Sequence, residues 1–172
     1  MTTMTIGTTV AEVLALVDEL DEVTHAGHDL RTLAMRAATL ALADDADGEL
    51  VTATLLHDIG RARYLARAAP GVPHEEVGRR FVAERFSPRV AWLVAQHVTT
   101  QRWLATVDEQ WVDTLTGPQR TALRRHGGKL GAQAALRFEA AEHAADAVRL
   151  RRWADRSVTA DDLGVDLDAL GG

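Results

Sequence analysis

The chain has 172 residues, 47% hydrophobic and 26% charged, which suits one globular domain with a sizeable core and argues against disorder. A net charge of −6 leaves no basic footprint for nucleic acid or an anionic membrane. There is no cysteine, so disulfides, thiolate ligands and iron–sulfur clusters are excluded and any metal must be held by His and carboxylate. The opening stretch MTTMTIGTTVAEVLALVDELDE lacks the basic start of a signal peptide, and no apolar run reaches membrane-spanning length. The expectation is a cytoplasmic protein that meets a small molecule, with its oligomeric state open.

In chain order, Thr9 to Glu12 reads as a capping box, and Val10, Val13, Leu14, Val17 and Leu20 follow at helical spacing. After a break near Gly27 a second helix is predicted over 30–43, closed by DDADG. A third runs from about Glu49 through LVTATLLHDIG and stops near Gly60. AAPGVP is a loop, and His74 opens the helix HEEVGRRFVAERF. Ser87-Pro88 supplies an N-cap and a first-turn proline for the long helix SPRVAWLVAQHVTTQRWL. Thr116-Gly-Pro and Gly127-Gly128 punctuate the stretch after that helix, and a last helix is predicted from about Phe138 to Arg156. Strand patterns are missing, so the fold expected is an all-α helical bundle over 1–158, with an acidic tail over 159–172.

Of the seven histidines, His57 follows the apolar run TATLL and precedes Asp58-Ile-Gly at a backbone break. His97 lies three, four and seven residues after Val94, Leu93 and Val90, on the buried face of its helix. His74 sits in a first turn. Any one of these alone reads best as a core or capping histidine. Two on apolar faces, with an Asp that is costly to bury unpaired, supply the imidazole and carboxylate donors used for Fe, Mn or Zn. His25 and His143 read as surface or loop residues, His126 as ambiguous. Trp92, Trp103, Trp111 and Trp153 read as core or pocket wall, because no basic groove accompanies them.

The stretches LAMRAATLALADDADGELVTATLLHDIGR, HEEVG, LVAQHVTTQRWL, HGG and FEAAEHAADAVRLRRWAD, in that order, give residues 30–158 a resemblance to a known family. The chain resembles the small HD-domain di-iron oxygenases that cleave phosphonates, relatives of myo-inositol oxygenase. The resemblance implies an all-α HD fold around a buried metal pocket. It places His57, Asp58, His74 and His97 on family metal ligands, with Asp58 as the bridge between two irons.

The sequence also departs from that pattern. Leu33 stands where the family has its first His ligand, and Ala154-Asp155 where it has an Asp-Asp pair whose first acid is the last ligand. Gln101 replaces a substrate-gripping Lys, Ala122 a Ser, His126 a Gln and Val158 a Lys. VTHAGHD replaces a mobile Tyr and Glu. Asp29, four residues before Leu33 and on its helix face, is the better substitute for the lost His; His28 would need the Gly27 break to reach. Asp155, one residue late, is the candidate last ligand.

The expected function is an HD-domain oxygenase-like enzyme acting on a small polar molecule with one or two irons. Asp58, His74 and His97 make a 2-His-1-carboxylate set of the kind found in mononuclear non-haem iron enzymes. Gln101, Arg102, His126 and Glu75 are candidate substrate contacts, and His57, Asp58 and His126 candidate catalytic groups. The alternatives are metal-dependent phosphohydrolysis, metal-free acid–base catalysis in the same pocket, and a non-catalytic binding remnant.

Overall fold

Helix-forming Ala, Leu, Arg and Glu fill most of the chain, and caps rather than turns of strand decide where each segment begins. The computed structural model describes residues 10–161, so Thr9 of the expected capping box and residues 162–172 of the tail lie outside the described residues. Ten α-helices run through the described residues. They are α1 (Val10–Asp18), α2 (Leu30–Ala43), α3 (Gly48–Leu56), α4 (Arg63–Ala68), α5 (His74–Ala83), α6 (Pro88–Val107), α7 (Glu109–Thr114), α8 (Gly117–Arg125), α9 (Ala132–Glu139) and α10 (Ala144–Ser157).

Three of these starts are set by side chains the sequence makes visible. Asp29 caps α2 by accepting from Thr32 N at 2.7 Å, Asp47 caps α3 from Leu50 N at 3.1 Å, and Ser87 caps α6 from Val90 N at 3.3 Å. Each such cap is worth about 1 kcal/mol. Thr116 and Gln119 form a full capping box at α8. Helix α6 is the central element and packs against α3, α5 and α10, while α2 lies between α3 and α10. The main core gathers Leu20, Leu50, Leu56, Ile59, Leu93, Val94 and Leu150, all essentially inaccessible. Burying each of these side chains stabilises the fold by about 1.5–3 kcal/mol.

Two boundaries differ from the sequence expectation. The third helix ends at Leu56, and a short 3₁₀ turn (Ile59–Arg61) carries the chain onward. The last helix is two: α9 ends at Glu139, the chain turns through Ala140 to His143, and α10 begins at Ala144. The break near Gly27 is a minimal hairpin, β1 (Thr24–His25) against β2 (His28–Asp29), with His25 opposite His28. Ala26 and Gly27 form its loop at φ 53° and 85°, the left-handed conformations a two-residue hairpin loop demands.

The turn after α3 meets the start of α5 at Gly60. A Cβ there would fall on the His74 carbonyl and within 2.7 Å of Gly78 N. Only glycine lets these two backbones come so close. That contact brings the His57-Asp58 break and His74 to one place.

Candidate metal centre

Within a helix, neighbouring side chains diverge by about 100°, which would send His57 and Asp58 to different surroundings. The end of α3 removes the conflict. His57 is its C-cap, still in helical conformation, and Asp58 at φ −99°, ψ 8° has already left it. Both side chains face one centre, with His57 Nε2 3.4 Å from Asp58 Oδ2. His74 arrives from the first turn of α5 and His97 from the buried face of α6.

Asp58, His74 and His97 each offer a ligand atom, all within 4.8 Å of one another. His74 Nε2 is 3.1 Å from His97 Nε2, and Asp58 Oδ1 is 3.5 Å from the first and 3.6 Å from the second. The point equidistant from these three atoms lies about 2.0 Å from each, close to the 2.0–2.2 Å bond lengths that imidazole and carboxylate make to a transition metal. Two imidazole nitrogens 3.1 Å apart repel unless a proton or a cation lies between them. The donor set therefore fits one divalent ion.

Hydrogen bonds behind the rings fix which nitrogens face inward. His57 Nδ1 donates to Thr54 O and His97 Nδ1 to Val94 O, both at 2.7 Å, so each Nε2 keeps its lone pair for the centre. His74 Nδ1 lies 3.2 Å from Glu75 Oε2, which orients the third ring. Burial, opposed by the bond to Asp58, pushes the His97 imidazole down to about 3, so it is neutral and ligand-competent at neutral pH. Burial would raise the Asp58 carboxyl, but Arg61, His57 and His74 together hold it well below the ordinary carboxylate range. Arg61 Nε donates to Asp58 Oδ1 at 2.9 Å.

Beside this centre lies a cavity of about 50 Å³. His57, Asp58, His97, Gln101 and His126 line it, while His74, Glu75 and Arg102 do not. Leu33, Ala122, Ala154 and Val158 line it too, so the positions that depart from the family pattern meet in space. His126 Nδ1 is tied to Gln101 Oε1 at 2.7 Å, and burial, reinforced by His74 and Arg61, lowers its pKa to about 4.

The other sequence candidates have different surroundings. Asp155 accepts from Trp111 Nε1 at 3.0 Å and Arg151 Nη2 at 2.7 Å, and it faces a second groove beside α7. Asp29 is consumed as the cap of α2, and His28 lies 3.6 Å from Asp161. Arg102 donates to Gly128 O and Lys129 O, pinning the glycine turn to α6.

Sequence reasoning missed five polar residues of the cavity wall: His25, Arg61, Gln119, Arg151 and Ser157. His25, expected at the surface, is half-buried there because the hairpin folds it inward. Arg61 and Arg151 carried a usable signal, since each lies three residues from a key position, Asp58 and Ala154, and so shares its side of the local backbone. No such periodicity marked His25.

A family model for the HD domain matches residues 26–156. The hydroxymethylphosphonate dioxygenase of Gimesia maris is 31% identical over 131 residues, a match that covers 71% of this chain. The chain spans just under two thirds of that relative's length, 64%. The all-helical architecture, the His57-Asp58 dipeptide at its centre and a match over most of the chain agree, and the chain belongs to the HD-domain family.

Proposed function

We propose that the chain is an HD-domain oxygenase that works with one iron, held by Asp58, His74 and His97, on a small polar molecule seated in the adjoining cavity. The observation that carries the reading is the triangle of three donor atoms with a common point about 2.0 Å from each. Iron held there supplies the redox chemistry with dioxygen that 2-His-1-carboxylate sets support.

The chain's own residues do the rest. Thr54 O, Val94 O and Glu75 hold the three imidazoles in orientation. Arg61 keeps Asp58 ionised. His126, neutral and braced by Gln101, presents a ring to the cavity that can accept or return a proton. Leu33, Ala154 and Val158 contribute apolar wall to the cavity where it offers no metal donor. They also leave His57 without companions for a second ion, so one metal per chain is the stoichiometry this set supports. The hydroxymethylphosphonate activity named for the relative fits this chain less well, because Gln101 and Ala122 replace a cation and a hydroxyl.

The test is metal content and Mössbauer spectroscopy on protein purified after growth with ample iron. The expected result is about one high-spin iron per chain with no exchange-coupled partner. A coupled two-iron cluster, or no metal under any loading condition, would overturn the proposal.

A further inference from the structure

The half of the cavity facing Leu33 and Ala154 has lost metal donors but not polar character. Arg151 reaches it from α10, Arg61 from the 3₁₀ turn and His25 from the hairpin. Arg151 Nη2 is used by Asp155. Its Nε–H is buried and is the one buried side-chain polar atom among the described residues without a hydrogen-bond partner. A buried donor with no acceptor is costly and calls for an explanation. His25 is in a related position. His57, His74, His97 and His126 each have a ring nitrogen engaged by the protein, whereas no hydrogen bond or ion pair engages the His25 ring among the described residues.

Charge points the same way. Asp58 faces Arg61 and Asp155 faces Arg151, so each guanidinium is already matched by one carboxylate. With Glu75 behind His74 as a third carboxylate, a divalent ion on Asp58, His74 and His97 then leaves the site with one unbalanced positive charge, and a monoanion is the ligand that neutralises it. The available donors also limit its shape. A tetrahedral anion needs several donors around it, but Ala122 has no hydroxyl and Gln101, its Oε1 held by His126, offers only its amide N–H. What remains is a guanidinium edge with an imidazole beside it, which suits the two oxygens of a planar carboxylate. A cavity of about 50 Å³ admits only a small one.

We propose that Arg151 and His25, with Arg61 beside them, form a binding site for the carboxylate group of a small organic acid, and that this group is the substrate's anchor. The inference rests on the one-metal reading above for its charge balance, and it names the substrate class of that same site.

The experiment titrates glycolate and inorganic phosphate into zinc-loaded and metal-free protein by calorimetry, with NMR of the arginine Nε–H signals. Glycolate should bind the zinc-loaded protein at least about tenfold more tightly than phosphate and shift the Arg151 Nε–H signal. Arg151→Lys keeps the charge facing Asp155 but loses the fork, and should weaken glycolate about tenfold or more, the loss expected for a charge-assisted bond. His25→Ala should weaken it severalfold, with thermal melts reporting whether each variant is folded. If either variant fails to fold, the Nε–H shift in the unaltered protein decides. Tighter phosphate binding, or a signal at Arg151 that glycolate leaves unmoved, overturns the proposal. So does glycolate affinity indifferent to both substitutions. Zinc content measured on the same samples separates the two readings. Arg151-dependent glycolate binding in a protein that takes up no metal would sink the one-metal proposal and leave this site standing.

Discussion

The two halves of the HD pocket carry opposite kinds of side chain. On one side Asp58, His74 and His97 converge within 4.8 Å, each ring held by a backbone carbonyl or a carboxylate. On the other, His57 keeps its bond to Thr54 O and its place beside Asp58, but Leu33 and Ala154 face it with hydrocarbon. Leu33 and Ala154 are nonetheless buried, 6% and 5% exposed. A metal ligand and a core residue thus occupy the same kind of position, and exchanging one for the other changes the chemistry without opening the core.

The comparison can be broken most directly at Asp58, which serves both halves. Asp58→Ala should abolish tight metal binding, with affinity lower by at least about 100-fold, since it removes the only carboxylate of the set and leaves Arg61 unpaired. Metal analysis after iron loading checks this, and full occupancy would place the site elsewhere.

Restoring the lost half is the next largest effect. Leu33→His combined with Ala154→Asp should raise bound iron from about one to about two per chain, giving a coupled pair in the Mössbauer spectrum. Occupancy that stays at one would mean that more than these two ligands separates the halves.

Smaller again is the response of the cavity wall to phosphonates. Gln101→Lys with Ala122→Ser should strengthen hydroxymethylphosphonate binding about tenfold, in line with about 1.5–3 kcal/mol for a charge-assisted bond. Unchanged binding would show that these two positions do not set anion choice.

The mildest test is acidity. His97 and His126 have folded pKa values near 3 and 4, below the ordinary 6.5, so between those values and 6.5 the unfolded chain takes up protons that the folded chain refuses. Stability of the metal-free protein should therefore fall as pH drops from about 7 to about 4. The melting temperature should decrease by roughly 5 °C or more, and calorimetry that finds it unchanged would contradict the buried, neutral state of these rings.

Part of the intact half was legible in the sequence through helical periodicity, and the rest through resemblance. His97 follows Val94, Leu93 and Val90 onto the buried face, and Ser87-Pro88 fixes where that helix starts. The vacated half was legible only through resemblance, since a Leu and an Ala in helices carry no sign of the ligands they replace. Periodicity could not reveal which way Asp155 turns. That depends on Trp111 and Arg151, which meet it only in the folded chain. The break between α9 and α10 was hidden for a different reason. Residues 139–142 are good helix formers, so nothing local stops the helix. The Trp103 bond to Glu139 and the stacking of Trp92 on Phe138 belong to tertiary structure. His25 needed the hairpin, whose only trace was a glycine.

Gly60 sets a boundary on how such a protein can drift. The first turn of α5 comes against this residue with its backbone, the His74 carbonyl and Gly78 N, so contact between two main chains helps to set the position of His74 independently of the ion it would hold. Ligand side chains on α2 and α10 can then be exchanged one at a time in a lineage, each intermediate still folding around the same seam. A methyl group at residue 60 has no such gradual route: the smallest possible side chain already separates the two segments, and the pocket would be lost in a single step.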